Sequence, residues 1–435
     1  MPATTALSPG QSTRRAAVEA LARVFEQGRT IEQALAETQS FAALSARDRG
    51  FAYAIVLAAA RAHGPIEARL ARHIARPLPA HAGAARAILR TGAAQILDLG
   101  TPAHAAVFES VALARALKEA APFASLINAV LRRIAEEPPG ALAAEPDRGF
   151  VAPWLWTRWR AAYGEARADA IAGAARAPAP LDLTVKADPQ GWAERLGGVV
   201  AGPATVRLPA GQSVETLDGF ATGDWWVQDL AASLPVLLLA ARPGEAVADL
   251  CAAPGGKTMQ LCATGADVTA VDRTQGRLKL VSENLARTGL SAMLIAEDVE
   301  RWTPEQRFDA ILLDAPCSAT GTFRRHPEGA WIKQSSDIPA LAALQRRLIS
   351  AAARLLKPGG RLVYAVCSLE PEEGPAQAAW IAQDLGLARA PFSPAALPGL
   401  EETINAKGEL RTLPSLRAEM GGMDGFFAAA FVKSA

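Results

Sequence analysis

Hydrophobic positions recur with a helical spacing over the first third of the chain. Between about residues 11 and 137 the sequence is rich in Ala, Leu and Arg, and its apolar residues fall on stripes three or four positions apart. Two such stripes are Ala17, Leu21, Val24 and Phe25, and Ile127, Val130, Leu131 and Ile134. Glycine and proline divide the region into short segments. The pattern predicts an all-α bundle over residues 12–138, preceded by a disordered tail over residues 1–11.

The helical pattern ends where proline and glycine accumulate. Pro138, Pro139 and Gly140 break it and predict a linker. From residue 150 to 230, Trp-rich and Gly/Pro-rich stretches alternate with apolar runs such as Leu181–Val185. We therefore expect residues 139–235 to contain this linker and a small α+β connector.

From about residue 240, short apolar runs alternate with segments of helical periodicity. The runs are typical of buried strands, and they are Ala246–Leu250, Val268–Val271, Met293–Ile295, Ala310–Leu313, Arg361–Ala365 and Phe426–Val432. The helical segments include Arg277–Ala286 and Leu341–Leu355. This alternation predicts an α/β Rossmann-like, doubly wound sheet over residues 236–435. In such a sheet, ligands bind beyond the carboxyl ends of the strands.

Composition and charge narrow the class of protein only a little. Half of the residues are hydrophobic and a fifth are charged, which indicates a folded globular chain rather than a disordered one. The net charge of +1 gives no overall electrostatic sign of a nucleic-acid partner. Residues 1–150 carry 17 Lys or Arg against 13 Asp or Glu, a small basic surplus that an ordinary solvated helical surface explains almost as well.

The cysteines and histidines do not form a disulfide or zinc pattern. The four cysteines lie in the second half of the chain without a C-x-x-C pair, and the five histidines are scattered. The start of the chain lacks the features of a signal peptide, and the longest apolar run, Leu234–Ala241, is too short to cross a bilayer. We expect a cytoplasmic, monomeric enzyme with reduced thiols and no metal.

Three successive strand ends carry features of a nucleoside pocket. The first runs into a loop whose small residues allow a ligand to approach the backbone, namely Cys251, Ala252, Ala253, Pro254, Gly255, Gly256 and Lys257. The second ends at Asp272, whose carboxylate suits two ribose hydroxyls, and the third ends at Glu297-Asp298, placed for an adenine amino group. The loop is neither G-x-G-x-x-G nor a P-loop, so a dehydrogenase is disfavoured.

Two further strand ends each carry a cysteine. Asp314-Ala315-Pro316-Cys317 follows one strand and Cys367 follows the next, so both thiols and a carboxylate are expected on the rim that carries the cofactor loop. A thiolate that adds to carbon 6 of a cytosine makes carbon 5 nucleophilic, and a carboxylic acid near N3 stabilises the charge pushed into the ring. Spacing alone does not choose between the two cysteines. Cys251 and Cys262 are interpreted as small buried hydrophobes.

With these residues assembled, the chain resembles the Sun-type RNA cytosine-C5 methyltransferases, and among them the RsmB-like group that acts on 16S ribosomal RNA and carries a NusB-like N-terminal domain. The motifs that carry the resemblance are DLCAAPGGKT (249–258), LLDAPCSATGTFRRHPE (312–328), LKPGGRLVYAVCSLEPEE (356–373) and MDGFFAA (423–429). The resemblance implies S-adenosylmethionine as cofactor and methylation of carbon 5 of a cytosine in RNA.

The resemblance also implies roles for individual residues. Cys367 matches the nucleophile, Cys317 the residue that assists product release, and Asp314 the acid that contacts cytosine N3. The matching cofactor positions are Cys251, Ala252, Ala253, Pro254, Gly255, Gly256, Lys257, Asp272, Asp298 and Asp314, with Arg277 in the same stretch. The RNA-proximal signature of the family is Val227-Gln228-Asp229. The segment around His104 resembles NusB, and this histidine is expected to be packed or capping rather than catalytic.

The sequence departs from the family pattern in three places, one of which comprises two residues. Val366 stands where a Thr usually precedes the nucleophile, Met423 replaces a His, and Thr184 with Lys186 replaces an Arg and an Asn of the connector. Three alternatives stay open: a tRNA substrate, Cys317 as the nucleophile, and a non-catalytic NusB-like RNA-binding assembly factor. Because the attacking sulfur and the methyl donor use opposite faces of the ring, we expect an unstacked cytosine in a single strand or loop as substrate.

Overall fold

The computed structural model describes residues 8–138 and 140–434, and these residues form two compact units. The first contains the chain up to Ala177 together with the segment Phe323–Gln334, and the second contains Pro178–Thr322 and the chain from Ser335 onward. A helical N-terminal region, a small antiparallel sheet and a mostly parallel α/β sheet follow one another along the sequence. The predicted fold class is confirmed.

The first unit is built from helices. They are α1 (Pro9–Gln27), α2 (Ile31–Ala36), α3 (Gln39–Ala42), α4 (Ala46–Arg61), α5 (His63–His73), α6 (Gly83–Leu97), α7 (Ala103–Ala116), α8 (Ala124–Ile134), α9 (Pro153–Tyr163) and α10 (Glu165–Ala174). Both predicted apolar stripes face its core: all of their members are buried except Phe25, which is half-buried. Burial of these stripes is the main force that holds short helices together, since helices of this length are marginal on their own.

The tail prediction is wrong for residues 9–11, where α1 has already begun. The Ser8 hydroxyl accepts a hydrogen bond from the Gln11 amide, and the Gln11 side chain accepts one from the Ser8 amide. This capping box, with Pro9 at the first helical position, satisfies amide groups that would otherwise lack partners. Residues 1–7, also assigned to the tail, lie outside the described residues.

The predicted connector is divided between the two units. Its helices α9 and α10 belong to the first unit, where Leu155 and Trp159 are buried. Its strands form a four-stranded antiparallel sheet in the second unit, in the order β2-β3-β1-β4. Their bounds are β1 (Leu181–Val185), β2 (Val199–Gly202), β3 (Thr205–Leu208) and β4 (Trp225–Val227), with α11 (Pro189–Leu196) between β1 and β2. Residues 139–235 therefore do not fold as one body.

The α/β part of the second unit contains an eight-stranded sheet and its helices. The strands are β5 (Ala246–Leu250), β6 (Asp267–Asp272), β7 (Met293–Ala296), β8 (Phe308–Asp314), β9 (Leu356–Val366), β10 (Leu387–Arg389), β11 (Leu410–Arg411) and β12 (Phe427–Lys433). The helices are α12 (Leu230–Leu239), α13 (Gly256–Cys262), α14 (Gln275–Thr288), α16 (Asp337–Leu355) and α17 (Pro375–Asp384). Each predicted strand is present within a few residues of its expected bounds.

The order of the strands determines where a ligand-binding crevice lies in the sheet. The order is β10-β12-β9-β8-β5-β6-β7, with β11 paired to β12. Strands β5 to β9 are mutually parallel, whereas β12 runs antiparallel to β9 and to β10. From β5 the chain winds outward through β6 and β7 on one side and then through β8 and β9 on the other. Ligands of open α/β sheets bind beyond the carboxyl ends of the strands at such a reversal, here between β5 and β8.

A short excursion of the chain interrupts the α/β fold directly after the Cys317 loop. At Phe323 the chain enters the first unit, forms α15 (Gly329–Ile332) and leaves at Gln334. The Glu328 carboxylate accepts a hydrogen bond from the Ile31 amide at the start of α2 (3.2 Å), and the Trp331 ring lies edge-on to His63 with 4.9 Å between ring centroids. The excursion is therefore part of the helical core.

Candidate active site

The loop after β5 presents backbone and small side chains at the reversal of strand order. Gly255 has a φ of +104°, a conformation in which a side chain would be strained, and it forms the N-cap of α13. The Ala253 amide donates to the Oδ2 atom of Asp272 at 3.1 Å, and the Arg277 guanidinium donates to the Ala253 carbonyl at 3.2 Å. These contacts bring the ends of β5 and β6 together.

Asp272 lies where the predicted cofactor pocket requires an acceptor. Its side chain is buried, and its Oδ1 atom lies 3.2 Å from Nη1 of the half-exposed Arg277 without forming a hydrogen bond. A buried carboxylate oxygen with spare acceptor capacity fits the hydroxyls of a ribose. Asp298 is half-buried after β7, and its Oδ1 atom accepts from the Glu300 amide at 3.0 Å. The residues present therefore fit the nucleoside of S-adenosylmethionine.

Lys257 and Asp314 form an ion pair across the crevice. The Nζ atom of Lys257 donates to Oδ2 of Asp314 at 2.6 Å, and it lies 5.2 Å from the centroid of the Phe426 ring. Burial lowers the pKa of Lys257, but the Asp314 carboxylate and its hydrogen bond outweigh burial, so the pKa is raised above its ordinary value. The sequence placed both residues at the site but did not predict that they are paired.

The two cysteines of the predicted site are adjacent. Their Sγ atoms lie 3.5 Å apart, although 50 positions separate the residues in the sequence. The neighbouring parallel strands β8 and β9 bring them together: Asp314 is in register with Ala365, and the Gly321 amide donates to the Cys367 carbonyl at 3.1 Å. Both thiols are half-buried and free. The predicted convergence of thiols and carboxylate is thus present in the structure.

The charges around the two thiols differ. Cys367 interacts electrostatically with the Lys257 ammonium group, a favourable partner for a thiolate. Cys317 lies near the carboxylate of Glu373, and the hydrogen bond with Cys367, burial and that carboxylate raise the pKa of Cys317 well above its usual value. This difference is invisible in the sequence, where the two cysteines are equivalent.

Two glycines allow the loops of the site to meet. A Cβ atom on Gly321 would lie 2.0 Å from the carbonyl oxygen of Gly425, far inside any real contact. The Gly425 amide donates in return to the Gly321 carbonyl at 2.8 Å. The loop after Cys317 and the loop before β12 are therefore in direct backbone contact, which only glycine permits.

Asp249 is a further polar residue near the site, and the sequence did not predict its surroundings. It is fully buried at the end of β5, its Oδ2 atom accepts from the Thr258 hydroxyl at 2.6 Å, and its Oδ1 atom accepts no hydrogen bond. Burial raises its pKa to about 7, although the hydrogen bond from Thr258 acts in the opposite direction. In the sequence, only its place near the end of an apolar run, just before the Gly-rich loop, indicates where it lies.

The remaining two cysteines and the RNA-proximal signature differ in how far their side chains are buried. Cys251 and Cys262 are half-buried rather than buried, and Cys262 donates to the Ser291 carbonyl at 3.2 Å. Gln228 and Asp229 of the RNA-proximal signature are buried and bonded within the chain, and Asp229 caps α12. Val227, by contrast, is about half exposed. Of the family's three signature residues here, only Val227 presents its side chain to solvent.

The residues that depart from the family pattern are buried or hydrogen-bonded in the structure. Val366 and Met423 are fully buried in hydrophobic clusters. Thr184 is buried in β1 with no hydrogen-bond partner for its hydroxyl, and Lys186 donates to the Thr288 carbonyl. These side chains contribute to packing and to contacts inside the second unit.

A second concave surface lies on the helical unit between α7 and α8. It is a cavity of about 820 Å³ whose lining includes His104, Phe108, Arg115, Asn128 and Arg132. The Phe108 side chain is 68% exposed, and both arginines are exposed. His104 is exposed as well, so the expectation that it is packed or capping is wrong. We refer to this surface as the α7–α8 groove.

Neither a metal cluster nor a membrane-spanning helix occurs within residues 8–138 and 140–434. Among these residues, no group of three or more His, Cys, Asp or Glu side chains is arranged to hold a metal ion. No helix in these ranges combines the length and the apolar composition that a membrane crossing requires.

The fold and the rim define an S-adenosylmethionine-dependent methyltransferase, with S-adenosylmethionine as its cofactor. Residues 236–432 match the family described as 16S rRNA methyltransferase RsmB/F, and residues 11–136 match the NusB family. The chain belongs to the RsmB/F family of 16S rRNA methyltransferases and carries an N-terminal NusB domain. The predicted family, enzyme class and cofactor are confirmed.

Individual relatives match over most of the chain. The ribosomal RNA small subunit methyltransferase B of Xanthomonas campestris pv. campestris is 38% identical over 87% of this chain and 89% of its own length. The protein of the same name from Vibrio cholerae is 36% identical over 97% of this chain and 98% of its own length. The crystal structure of PH0851 shares the fold, with a TM-score of 0.77 over 98% of this chain and 99% of that one, at 23% identity.

Proposed function

We propose that this enzyme transfers a methyl group from S-adenosylmethionine to carbon 5 of a specific cytosine in 16S ribosomal RNA, through a covalent bond between Cys367 and carbon 6. The observation that carries the proposal is the arrangement at the rim. Two thiols 3.5 Å apart lie beside a lysine–aspartate pair with an N–O distance of 2.6 Å. Cytosine C5 methylation needs a nucleophilic sulfur, a carboxyl group near the ring and a second group for product release.

Cys367 is the nucleophile in this proposal because of the charge beside it. The Lys257 ammonium group interacts electrostatically with Cys367, and a cation beside a thiol favours its thiolate, whereas the charge that acts on Cys317 is the carboxylate of Glu373. The Cys367 sulfur forms a bond to carbon 6 of the cytosine, and the electron pair of the C5–C6 double bond becomes available at carbon 5. Asp314, placed near N3, stabilises the charge that enters the ring. The family resemblance assigns the same roles to these residues.

The remaining steps restore the aromatic ring. Bound S-adenosylmethionine supplies the methyl group, and carbon 5 forms its new bond as the methyl–sulfur bond breaks. A base then removes the proton from carbon 5, and the bond between Cys367 and carbon 6 breaks as the double bond returns. Cys317 assists this release, for which its thiol, 3.5 Å from the Cys367 sulfur, is suited.

The cofactor is proposed to lie along the rim from β5 to β7. Asp272 would bind the ribose hydroxyls and Asp298 the adenine amino group, with Arg277 beside them. The backbone of Cys251, Ala252, Ala253, Pro254, Gly255 and Gly256 would approach the cofactor closely, since these residues are small or hold the loop open. Lys257 and Asp314 stand where the cofactor and the target base would meet.

The RNA is proposed to contact the NusB domain as well as the methyltransferase unit. Within the α7–α8 groove, Arg115 and Arg132 are suited to phosphates, and Phe108 offers a face on which an unpaired base can stack. The expected substrate is an unstacked cytosine in a loop of 16S rRNA. In this proposal residues 12–138 bind RNA and residues 236–435 perform the chemistry, in a monomer that acts in the cytoplasm.

Bisulfite sequencing of ribosomal and transfer RNA from cells with and without this protein tests the proposal. The expected result is one 16S rRNA cytosine that loses its protection when the gene is deleted and regains it when the wild-type gene is restored. Restoration with a Cys367→Ala variant should fail. Loss of protection in a tRNA instead would replace the substrate, and unchanged protection everywhere would favour a non-catalytic assembly factor.

A further inference from the structure

A buried carboxylate joins the two chain segments that follow the cysteines. Glu373 is fully buried, and its Oε1 atom accepts hydrogen bonds from the Ser318 amide at 2.9 Å and from Nε2 of Gln345 at 3.1 Å. Its Oε2 atom accepts from the hydroxyls of Ser318 and Ser368. Ser318 directly follows Cys317, and Ser368 directly follows Cys367. One side chain therefore holds both cysteine-bearing loops.

We propose that Glu373 is a positioning residue that fixes the mutual placement of the Cys317 and Cys367 thiols. This inference rests on the proposed function for its chemical meaning, since that function requires both thiols beside the same cytosine ring. It concerns a residue that touches neither sulfur in the structure and acts through the two serines.

The energetics of the cluster make the two loops depend on one another. A buried carboxylate is costly unless its lone pairs are satisfied, and here four donors satisfy them. The donors come from the loop after β8, the loop after β9 and helix α16. If either loop moved, the carboxylate would lose partners that no water in a buried site replaces. The lowest-energy arrangement is therefore the one in which both loops, and both thiols, are in place.

Further contacts keep the loops folded without Glu373, which makes a specific test possible. The Gly321 amide donates to the Cys367 carbonyl at 3.1 Å, and the Leu369 amide donates to the Thr320 hydroxyl at 2.9 Å. The Ser318 and Ser368 hydroxyls also lie 3.1 Å apart. We expect a Glu373→Gln variant to fold with the loops near their positions but no longer fixed to one another.

The charge of Glu373 has a second consequence for the pair. Glu373 interacts electrostatically with Cys317, and Lys257 interacts electrostatically with Cys367. The carboxylate is one of the groups that raise the pKa of Cys317, after its hydrogen bond with Cys367 and burial. A neutral side chain at position 373 would therefore remove one of the groups that raise the pKa of Cys317. It would also loosen the placement of the two thiols.

The test compares Glu373→Gln with Glu402→Gln, a glutamate of the same unit whose side chain is exposed. For Glu373→Gln we expect kcat to fall on the order of 10²-fold, the loss typical of a catalytic group misplaced by about 1 Å. The KM for S-adenosylmethionine should stay unchanged, because the cofactor residues lie elsewhere on the rim. The Glu402→Gln variant should behave as wild type in both respects.

A second readout needs no RNA. Phenylarsine oxide binds two thiols that lie side by side, so the wild-type enzyme should bind it tightly and a Cys317→Ser variant should show only background binding. Glu373→Gln should bind it at least tenfold more weakly than wild type. Wild-type affinity for the arsenical together with wild-type kcat in Glu373→Gln would overturn the proposal. A loss of kcat with unchanged arsenical affinity would overturn it too, since the effect would not act through the thiol pair.

Two serine variants protect the test against loss of folding. Ser318→Ala and Ser368→Ala each remove one hydroxyl donor from Glu373, and each should reproduce part of the decrease in arsenical affinity. If Glu373→Gln does not fold, unaltered affinity in both serine variants overturns the proposal. If the wild-type enzyme fails to methylate 16S rRNA, the proposed function is wrong, while the arsenical measurements still decide the role of Glu373.

Discussion

The Nζ atom of Lys257 lies 2.6 Å from the Oδ2 atom of Asp314, although one residue begins a helix and the other ends a strand 57 positions away. The pair joins the helix that follows β5 to the end of β8, and β5 and β8 are the two strands between which the strand order reverses. Both side chains are largely withdrawn from water, at 12% and 28% exposure. Their attraction is therefore less screened than that of a surface pair. Lys257 adds positive charge beside Cys367 and orients the carboxylate proposed to contact the cytosine.

Replacement of Lys257 by Gln should remove the cation that stabilises the Cys367 thiolate. We expect kcat at neutral pH to fall about 100-fold, at the lower end of the range for the loss of one electrostatic group in an active site. Alkylation of Cys367 by iodoacetamide at pH 7, followed by mass spectrometry, should slow several-fold. A Lys279→Gln variant is the control, since Lys279 is exposed on α14. Unchanged alkylation in Lys257→Gln would contradict the electrostatic assignment.

The two site cysteines should fail in different ways. Cys367→Ala should abolish methylation and should form no covalent adduct with RNA that contains 5-fluorocytosine. Cys317→Ala should still form the adduct but release product slowly, so that a protein–RNA species accumulates on a denaturing gel. An adduct that survives in Cys367→Ala and disappears in Cys317→Ala would reverse the roles of the two residues.

Asp249 should make the stability of the enzyme depend on pH in the acid range. Its pKa is raised to about 7 in the folded state, against an ordinary value of 3.8, so the folded protein binds this proton more tightly than the unfolded chain. The free energy of unfolding should therefore fall as the pH rises from about 4 to 7 and stay level above, with a slope of at most about 1.4 kcal/mol per pH unit.

The measurement compares urea unfolding of wild type and Asp249→Asn from pH 4 to pH 8. Asparagine keeps the shape and an acceptor for the Thr258 hydroxyl, but it does not titrate. The advantage of wild type over the variant should decrease as the pH rises. A difference that is constant with pH would mean that Asp249 has an ordinary affinity for its proton.

The α7–α8 groove should contribute to RNA affinity. Arg115→Ala and Arg132→Ala should each weaken binding to a 16S rRNA fragment, and each should reduce the slope of log Kd against log salt by about 0.7 if it holds one phosphate of a single strand. Phe108→Ala should cost about 1–3 kcal/mol if a base stacks on the ring. Arg167→Ala, an exposed arginine on α10, is the control. Unchanged slopes would mean that these arginines do not hold RNA phosphates.

The backbone contact at Gly321 should not tolerate a methyl group. Gly321→Ala would place its Cβ atom 2.0 Å from the Gly425 carbonyl oxygen, so the loops must separate. We expect a loss of about 1–3 kcal/mol in the free energy of unfolding, with activity reduced further. Gly276→Ala is the matched control, because no atom lies within 4 Å of its added Cβ and the residue is in the first turn of α14. That substitution should be neutral or slightly stabilising.

The α/β sheet was predictable from sequence because its strands are buried on both faces. A run such as Ile311 to Leu313 is apolar throughout, which is typical of a strand that is buried on both faces. The helices that alternate with such strands restrict how one strand can be connected to the next. The same logic placed Asp314, Cys317 and Cys367 on one rim. The division of the connector was not predictable, because it depends on which core buries Trp159 and which sheet holds Val206, and a hydrophobic pattern does not specify a partner.

The finer chemistry of the site required three dimensions. The ion pair of Lys257 with Asp314 joins residues from different strand ends, and different charged groups act on the two thiols, Lys257 on Cys367 and Glu373 on Cys317. Glu373 was visible in the sequence only as one of several acidic residues after a cysteine. Its burial distinguishes it from the exposed Glu372, and burial of a single residue in a loop leaves no periodic signal.

The excursion Phe323–Gln334 bears on how this enzyme can be dissected. A fragment that begins at residue 236 would keep Phe323, Glu328 and Trp331 but lack the helices that surround them, including the start of α2 to which Glu328 is bonded. It would expose large apolar side chains only a few residues after Cys317. Removal of the N-terminal helices would leave this segment without the residues on which it packs, so truncation at the family boundary should yield an insoluble or inactive catalytic fragment.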